Sequence, residues 1–264
     1  MSTEVVAGHD IRRTLRSRVF VGLVGASIVV CVAGLLVGQL VGTGRDPVSA
    51  LRVQLLGMWM VAGTVVGFIG VSVGASGIAG ERQNRTLRLL ASLPIRRSEL
   101  LYGKVLSRVT VVVVSVCAGL VVSLSALVVG TPVPAMGQVT GFAVFTVAVA
   151  VCYVTVGVAV STLVTASRVR AVAVVVFTVT VVWPRAFSFG VEIFGSGPIS
   201  SALKFLATLT PFGAYSQVVS DEAAILAFEV DSALLGSGTM AAVLFAWTVL
   251  SLVVARRGIE RRDI

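Results

Sequence analysis

The residues of this sequence best suited to binding chemistry lie in one charged segment between two apolar runs, residues 81–108. The segment holds seven basic residues against two acidic ones: Arg82, Arg85, Arg88, Arg96, Arg97, Lys104 and Arg108 against Glu81 and Glu99. Guanidinium groups form charge-assisted, often bidentate hydrogen bonds with carboxylates and phosphates. Because the chain on either side is strongly apolar, we expect this charged segment to meet a partner in water.

The first half of the segment favours a helix that Pro94 ends. One face is apolar and a neighbouring face is basic: Thr86, Leu87, Leu90 and Ala91 on the first, Arg82, Arg85 and Arg88 on the second. Ser98 is a suitable N-cap for a second helix that runs through Lys104 into the next apolar run. The first helix would fit two surfaces: anionic lipid headgroups, or a groove of a cytosolic partner with leucines as anchors.

Composition places the rest of the chain in a membrane. Of the 264 residues, 56% are hydrophobic and 12% are charged, whereas a globular chain carries about 25% charged residues. The mean hydropathy is +1.01. The apolar runs are about 18 to 25 residues long, which suits membrane-spanning helices and exceeds the length of barrel strands. The sequence predicts an all-α polytopic membrane protein, with one transmembrane domain over residues 1–264.

Six apolar runs are predicted to span the membrane: residues 19–41, 55–79, 109–129, 139–164, 171–190 and 238–255. Pro184 is expected to kink or end the fifth span. Glycines spaced by four in the second span, Gly63 with Gly67 and Gly70 with Gly74, predict close helix packing.

Three segments outside the predicted spans are expected to form distinct structures. Residues 1–18 suit an amphipathic helix on the membrane surface, or a basic flank that only sets orientation. Residues 80–108 hold the charged segment. Residues 191–237 contain two short apolar pieces, 199–209 and 212–219, which are typical of re-entrant or interfacial helices.

The positions of the basic residues predict the orientation. With both termini inside, only four of the 21 basic residues fall outside: Arg45, Arg52, Arg185 and Lys204. Such a bias predicts cytoplasmic N and C termini. Because the charges lie at the ends of apolar runs, the net charge of +9 indicates membrane orientation and not nucleic-acid binding.

The sequence lacks the residues that most enzyme and ion-transport mechanisms require. His9 is the single histidine, so paired-histidine metal sites and serine–histidine catalysis have no second partner. Cys31, Cys117 and Cys152 lie within apolar runs and are expected to serve packing. No Asp, Glu, Lys, Arg or His lies near the middle of any predicted span. This weakens an ion-coupled carrier, a proton pump or a cation channel, although backbone carbonyls can also coordinate ions.

Nucleotide binding by this chain is also not expected. A phosphate-binding loop needs glycine, four residues, then Gly-Lys and a hydroxyl residue. Here Gly103-Lys104 is followed by Val105, and Ser98 stands five positions before Gly103. We therefore predict a non-enzymatic chain without cofactor or metal, in which any ATP is bound by another subunit.

A series of residues in the charged segment forms a longer pattern: Glu81-Arg82, Thr86-Leu87, Leu89-Leu90, Leu93-Pro94-Ile95, Arg97, Glu99-Leu100-Leu101 and Gly103-Lys104. They resemble the signature of ABC-2 type transporter permeases, E-R-x-x-G-T-L-x-x-L-L-x-x-P-(V/I)-x-R-x-x-(L/I)-x-x-G-K. In that family the run joins the second and third of six spans. One departure is Arg85, which stands where the family usually has glycine.

The resemblance implies a coupling helix that docks on a nucleotide-binding subunit, which would hold ATP and Mg²⁺. Its partner-binding residues would be Arg82, Arg85, Thr86, Leu87, Arg88, Leu90, Leu93, Pro94, Ile95 and Arg96. It further implies an N-terminal surface helix at residues 10–18 and short gate helices between spans five and six. Two permease chains, as a homodimer or heterodimer, would form the substrate path in the cytoplasmic membrane, and export is the family expectation.

Two other functions remain open at this point, and so does the substrate. One is a stand-alone, gradient-driven carrier or channel. The other is a non-transporting membrane subunit that anchors other proteins. Scattered hydroxyls in the apolar spans (Thr64, Ser72, Ser76, Ser115, Ser123 and Thr155) are compatible with many substrate classes.

Overall fold

The computed structural model describes residues 8, 10–12, 14–42, 47–83, 97–130, 136–194, 205–223 and 236–260. Over these ranges all regular secondary structure is helical, and no strand occurs. The expected all-α class is therefore confirmed. The order of elements is α1 Arg18–Gly42, α2 Pro47–Met58, a π-helical turn Trp59–Gly63, α3 Thr64–Gln83, α4 Arg97–Gly130, α5 Met136–Leu163, α6 Val169–Phe194, α7 Pro211–Ala223 and α8 Ser237–Glu260.

Five segments are long and apolar enough to cross a membrane: Arg18–Val41, Val53–Gly77, Ser98–Leu127, Val139–Leu163 and Ser237–Glu260. They correspond to five of the six predicted spans. The remaining one lies within α6, whose apolar part, Val169–Pro184, is shorter than these five. The chain is thus a multi-pass membrane protein, and the count of six remains a prediction.

Several helix boundaries differ from the sequence prediction. A helix begins at Pro47, between the first two predicted spans, because proline fits the first turn of a helix. The second helix of the charged segment begins at Arg97, so Ser98 lies in its first turn and is not the N-cap that the sequence predicted. The helix continues without a break into the third span, as predicted. Pro184 does not end α6, which continues to Phe194. Membrane helices tolerate proline where neighbouring groups satisfy the freed carbonyl.

The centre of the bundle is the contact between α3 and α5, the most extensive in the structure. A Cβ atom at Gly70 would lie 2.9 Å from the carbonyl oxygen of Ala150, and one at Gly74 would collide with the carbonyl oxygen of Val154. Gly157 on α5 meets the backbone of α3 in the same way. The glycines spaced by four in the second span therefore allow two helices to pack closely, as predicted.

The hydrophobic core lies around α5, and the outer helices expose apolar side chains. In α5, 67% of the span is buried, compared with 22% in α1 and in α8. The largest fully buried side chains include Tyr153, Tyr215 and Phe212. Large valine, leucine and phenylalanine side chains on α1, α6 and α8 are exposed, which suits helices surrounded by lipid.

Candidate functional site

The predicted partner-binding residues fall largely outside the described part of the chain. Arg82 belongs to the last turn of α3. The others lie outside the described residues: Arg85, Thr86, Leu87, Arg88, Leu90, Leu93, Pro94, Ile95 and Arg96. Their role as a docking surface remains a prediction.

The two helices that flank this segment converge at one end of the bundle. α3 ends at Gln83 and α4 begins at Arg97. The Arg108 Nε atom lies 3.5 Å from the position that a Cβ atom of Gly77 would occupy. Arg108 of α4 therefore lies directly beside the backbone of α3.

An ion pair joins the N-terminal residues to α4. Lys104 Nζ donates a hydrogen bond of 3.0 Å to Asp10 Oδ2. The side chain of Lys104 is 8% exposed and that of Asp10 is 16% exposed, so little water screens the pair. Sequence reasoning singled out Lys104 but not Asp10, because the partners are 94 residues apart.

A second small core holds this end of the bundle together. It joins the start of α4, the end of α5 and the end of α8: Leu101, Val105, Val158, Ala159, Ala255 and Ile259. Gly258 lets α8 approach Thr162 at the end of α5. We call this the basic end, after its exposed arginines: Arg12, Arg16, Arg18, Arg168, Arg170, Arg256 and Arg257.

A cavity of about 500 Å³ opens at the basic end between α4 and α8. Its lining is Tyr102, Val249, Leu252, Val253, Arg256, Arg257 and Glu260. Arg256 Nε donates a hydrogen bond of 2.8 Å to Glu260 Oε1. The lining of this cavity contains both apolar and cationic groups. No sequence pattern indicates the cavity, because Tyr102 is distant from α8 along the chain.

At the opposite end, α7 is inserted among the spans. Thr210 caps it, since its hydroxyl accepts a hydrogen bond from the Gly213 amide at 3.0 Å. The Trp247 indole of α8 donates a hydrogen bond of 2.7 Å to the Leu209 carbonyl. Of the two predicted short apolar pieces, the second therefore forms part of a capped helix, and the first is described only from residue 205 onwards.

The inner face of α7 is fully buried. The hydroxyls of Tyr215 and Thr146 of α5 lie 2.9 Å apart, and the Tyr215 ring abuts Gly63 in the π-helical turn. The Phe212 ring packs against Trp59, with ring centroids 6.1 Å apart. These contacts fix a short helix deep among helices that are long enough to cross a membrane.

The hydroxyls within the spans mostly satisfy their own helices. Thr64, Ser76, Ser115, Ser123 and Thr155 each donate to a carbonyl three or four residues earlier.

Among the described residues, no group of three His, Cys, Asp or Glu side chains could hold a metal ion. An apolar groove of about 800 Å³ runs between α4 and α5, beside Cys117, Leu124 and Val147.

Comparison with protein families gives a match over nearly the whole chain. The model of a family described as ABC-2 family transporter protein matches residues 5–264. A search of curated proteins gives no match. The family match therefore covers the charged segment, the described helices and the basic end together.

Proposed function

The chain belongs to the ABC-2 transporter family, whose members are membrane components of transporters, and we propose that it is the permease subunit of an ABC exporter in the cytoplasmic membrane. ATP hydrolysis by a separate nucleotide-binding subunit would drive substrate movement between two permease chains. The family match over residues 5–264 is the observation that carries this proposal.

The arrangement of α3 and α4 supports a coupling role for the segment between them. Residues 84–96 connect two helices that converge at the basic end, and α4 continues from Arg97 as one 34-residue helix. A continuous helix transmits displacement at its start along its whole length, because its backbone hydrogen bonds resist bending. Movement of a docked ATPase subunit would thus reach the core through α4.

The distribution of charge supports an orientation with the basic end in the cytoplasm. Exposed arginines from the N-terminal residues, the turn before α6 and the end of α8 all lie at this end. Cytoplasmic segments of membrane proteins carry an excess of such residues. With α6 as the fifth of six spans, both termini are cytoplasmic and α7 belongs to the outer half.

The position of α7 supports a role as an outer re-entrant gate. It begins at Pro211 and buries Phe212 and Tyr215 against the π-helical turn and α5. A short helix in the membrane is stable only when protein surrounds it. In this proposal, the contacts described above belong to a closed outer side.

The first test is co-purification. The tagged full-length chain is solubilised from its native membranes and reconstituted with lipid, and bound proteins are identified. We expect a nucleotide-binding subunit in equal amount, with ATPase activity that rises in the complex. Recovery of no ATP-binding protein, together with gradient-driven transport by the chain alone in liposomes, would establish the carrier function instead.

A matched pair of variants locates the docking surface. Replacing residues 84–96 by a Gly-Ser linker should abolish recovery of the ATPase subunit while the chain remains inserted. Replacing residues 131–135, in the connection proposed to lie on the outer side, should leave recovery unchanged. Equal recovery with both replacements would contradict the proposed docking surface.

A further inference from the structure

We propose that the cavity between α4 and α8 at the basic end binds an anionic phospholipid of the adjacent leaflet. The cavity has a volume of about 500 Å³. It requires only that α8 crosses the membrane, so it does not depend on ATPase coupling.

The lining divides into two parts along α8. Val249, Leu252 and Val253 form an apolar wall, and Arg256 and Arg257 follow one helical turn later. The wall suits the upper part of an acyl chain, and the arginines suit a phosphate. Guanidinium groups bind phosphate oxygens through paired N–H donors.

The depth of the cavity matches the boundary of the membrane. α8 is a candidate span, Ser237–Glu260, and the two arginines lie in its last turns. Long basic side chains at helix ends reach towards the headgroup region. The phosphate of a bound lipid would contact the arginines there. The acyl chain of the same lipid would lie against the apolar wall.

The groups at the rim are accessible. The Arg256 side chain is 56% exposed, and Tyr102 is 40% exposed. Tyr102, on α4, lines the cavity together with Arg256. Its hydroxyl adds a hydrogen-bond donor for phosphate.

Glu260 is the one lining residue that opposes an anion. It accepts the 2.8 Å hydrogen bond from Arg256, but its side chain is 48% exposed. Exposed ion pairs of this spacing are weak, so a phosphate can compete for the guanidinium. With two arginines and one glutamate the lining retains one net positive charge, which suits the single negative charge of phosphatidylglycerol.

The test measures binding of fluorescent phosphatidylglycerol to the purified full-length chain in neutral detergent. Unlabelled phosphatidylglycerol, phosphatidylcholine and glycerol 3-phosphate serve as competitors. We expect phosphatidylglycerol to compete best, because only it offers both an acyl chain and a net negative charge. Arg256→Gln with Arg257→Gln should weaken binding by about 25-fold, since each basic residue contributes about five-fold near an anionic surface.

Two further variants sharpen the result. Glu260→Gln should tighten binding, because it removes the competing carboxylate. The control is Arg168→Gln with Arg170→Gln, two exposed arginines at the same end that lie outside the cavity. It makes the same change in net charge and should leave the affinity within about two-fold.

Four outcomes would overturn the proposal. If the control pair weakens binding as much as the cavity pair, the attraction is diffuse. If phosphatidylcholine competes as well as phosphatidylglycerol, the charge does not contribute. If glycerol 3-phosphate competes as well, the acyl chain does not contribute. If Tyr102 and Arg257 are protected from chemical modification only in a dimer or in the ATPase complex, the cavity binds a protein partner instead of a lipid.

Discussion

Lys104 Nζ lies 3.0 Å from Asp10 Oδ2, and this contact ties the N-terminal residues to the start of the long helix α4. Both side chains are largely shielded from solvent. Lys104 lies on the helix that follows the proposed coupling segment, seven positions after α4 begins at Arg97. A displacement of α4 would therefore also move the residues that precede α1.

The first prediction concerns this pair. Lys104→Met should lower the free energy of unfolding by about 2 kcal/mol, because Asp10 loses a charged hydrogen-bond partner in a place with little water. Thermal unfolding of the purified chain measures the loss, and hydrogen exchange at residues 10–12 should rise. The charge swap Asp10→Lys with Lys104→Asp should restore part of the stability. Arg16→Gln, an exposed change on the same segment, should have no comparable effect. Equal exchange in all variants would contradict the link.

The second prediction concerns the crossing of α3 and α5. Gly74→Ala should destabilise the chain by about 1–3 kcal/mol, because the added methyl would press against the Val154 carbonyl in a packed core. Gly22→Ala and Gly25→Ala are matched controls, since nothing lies within 4 Å of the added atom. Helix propensity favours alanine in all three. If all three variants melt at the same temperature, the close approach is not needed for stability.

The third prediction concerns the docking of α7. Tyr215→Phe and Thr146→Val each remove the hydrogen bond between the two hydroxyls, and each should cost about 0.6 kcal/mol, the mean value for hydrogen bonds inside a membrane. The double variant should cost little more than either single variant, which a double-mutant cycle would measure. Tyr215→Ala should cost about 3–5 kcal/mol, because it empties a fully buried site. Additive effects of the two single variants would show that the hydroxyls act separately.

The sequence predicted those features that depend on local pattern. The lengths of the apolar runs located five candidate spans, and Ser98 after Pro94 located the start of α4 to within two residues. The spacing of Gly70 and Gly74 predicted a close helix contact, although not that α5 would supply the partner.

The features that sequence reasoning missed depend on distant partners. Tyr215 and Thr146 are 69 residues apart, and neither has a pattern that indicates the other. The short α7 is stable because α5 and the π-helical turn surround it, which no local propensity reports. The cavity beside Tyr102 arises only because α4 and α8 meet. The docking role of the charged residues between Arg85 and Arg96 remains a prediction from the sequence pattern alone.

The fourth prediction tests orientation by cysteine accessibility. In a variant in which Cys31, Cys117 and Cys152 are replaced by alanine, an impermeant maleimide added to intact cells should label Gly137→Cys. Ser167→Cys should be labelled only after the membrane is opened. Both positions are exposed, so a difference in labelling reports the side of the membrane and not burial. The reverse pattern would place the basic end outside and would contradict the proposed coupling to a cytoplasmic ATPase.

The fifth prediction tests the apolar face of the coupling segment. Leu87→Asp and Leu90→Asp should each abolish stimulation of the partner ATPase, because a charge would replace an anchor in a partner groove. Leu163→Asp is the control: this leucine is 50% exposed at the end of α5, outside the segment, and the same change there should leave stimulation intact. ATPase activity is measured in liposomes after equal insertion of each variant has been verified. Stimulation that survives both changes would assign residues 84–96 to the lipid surface, where the same amphipathic helix could rest without a protein partner.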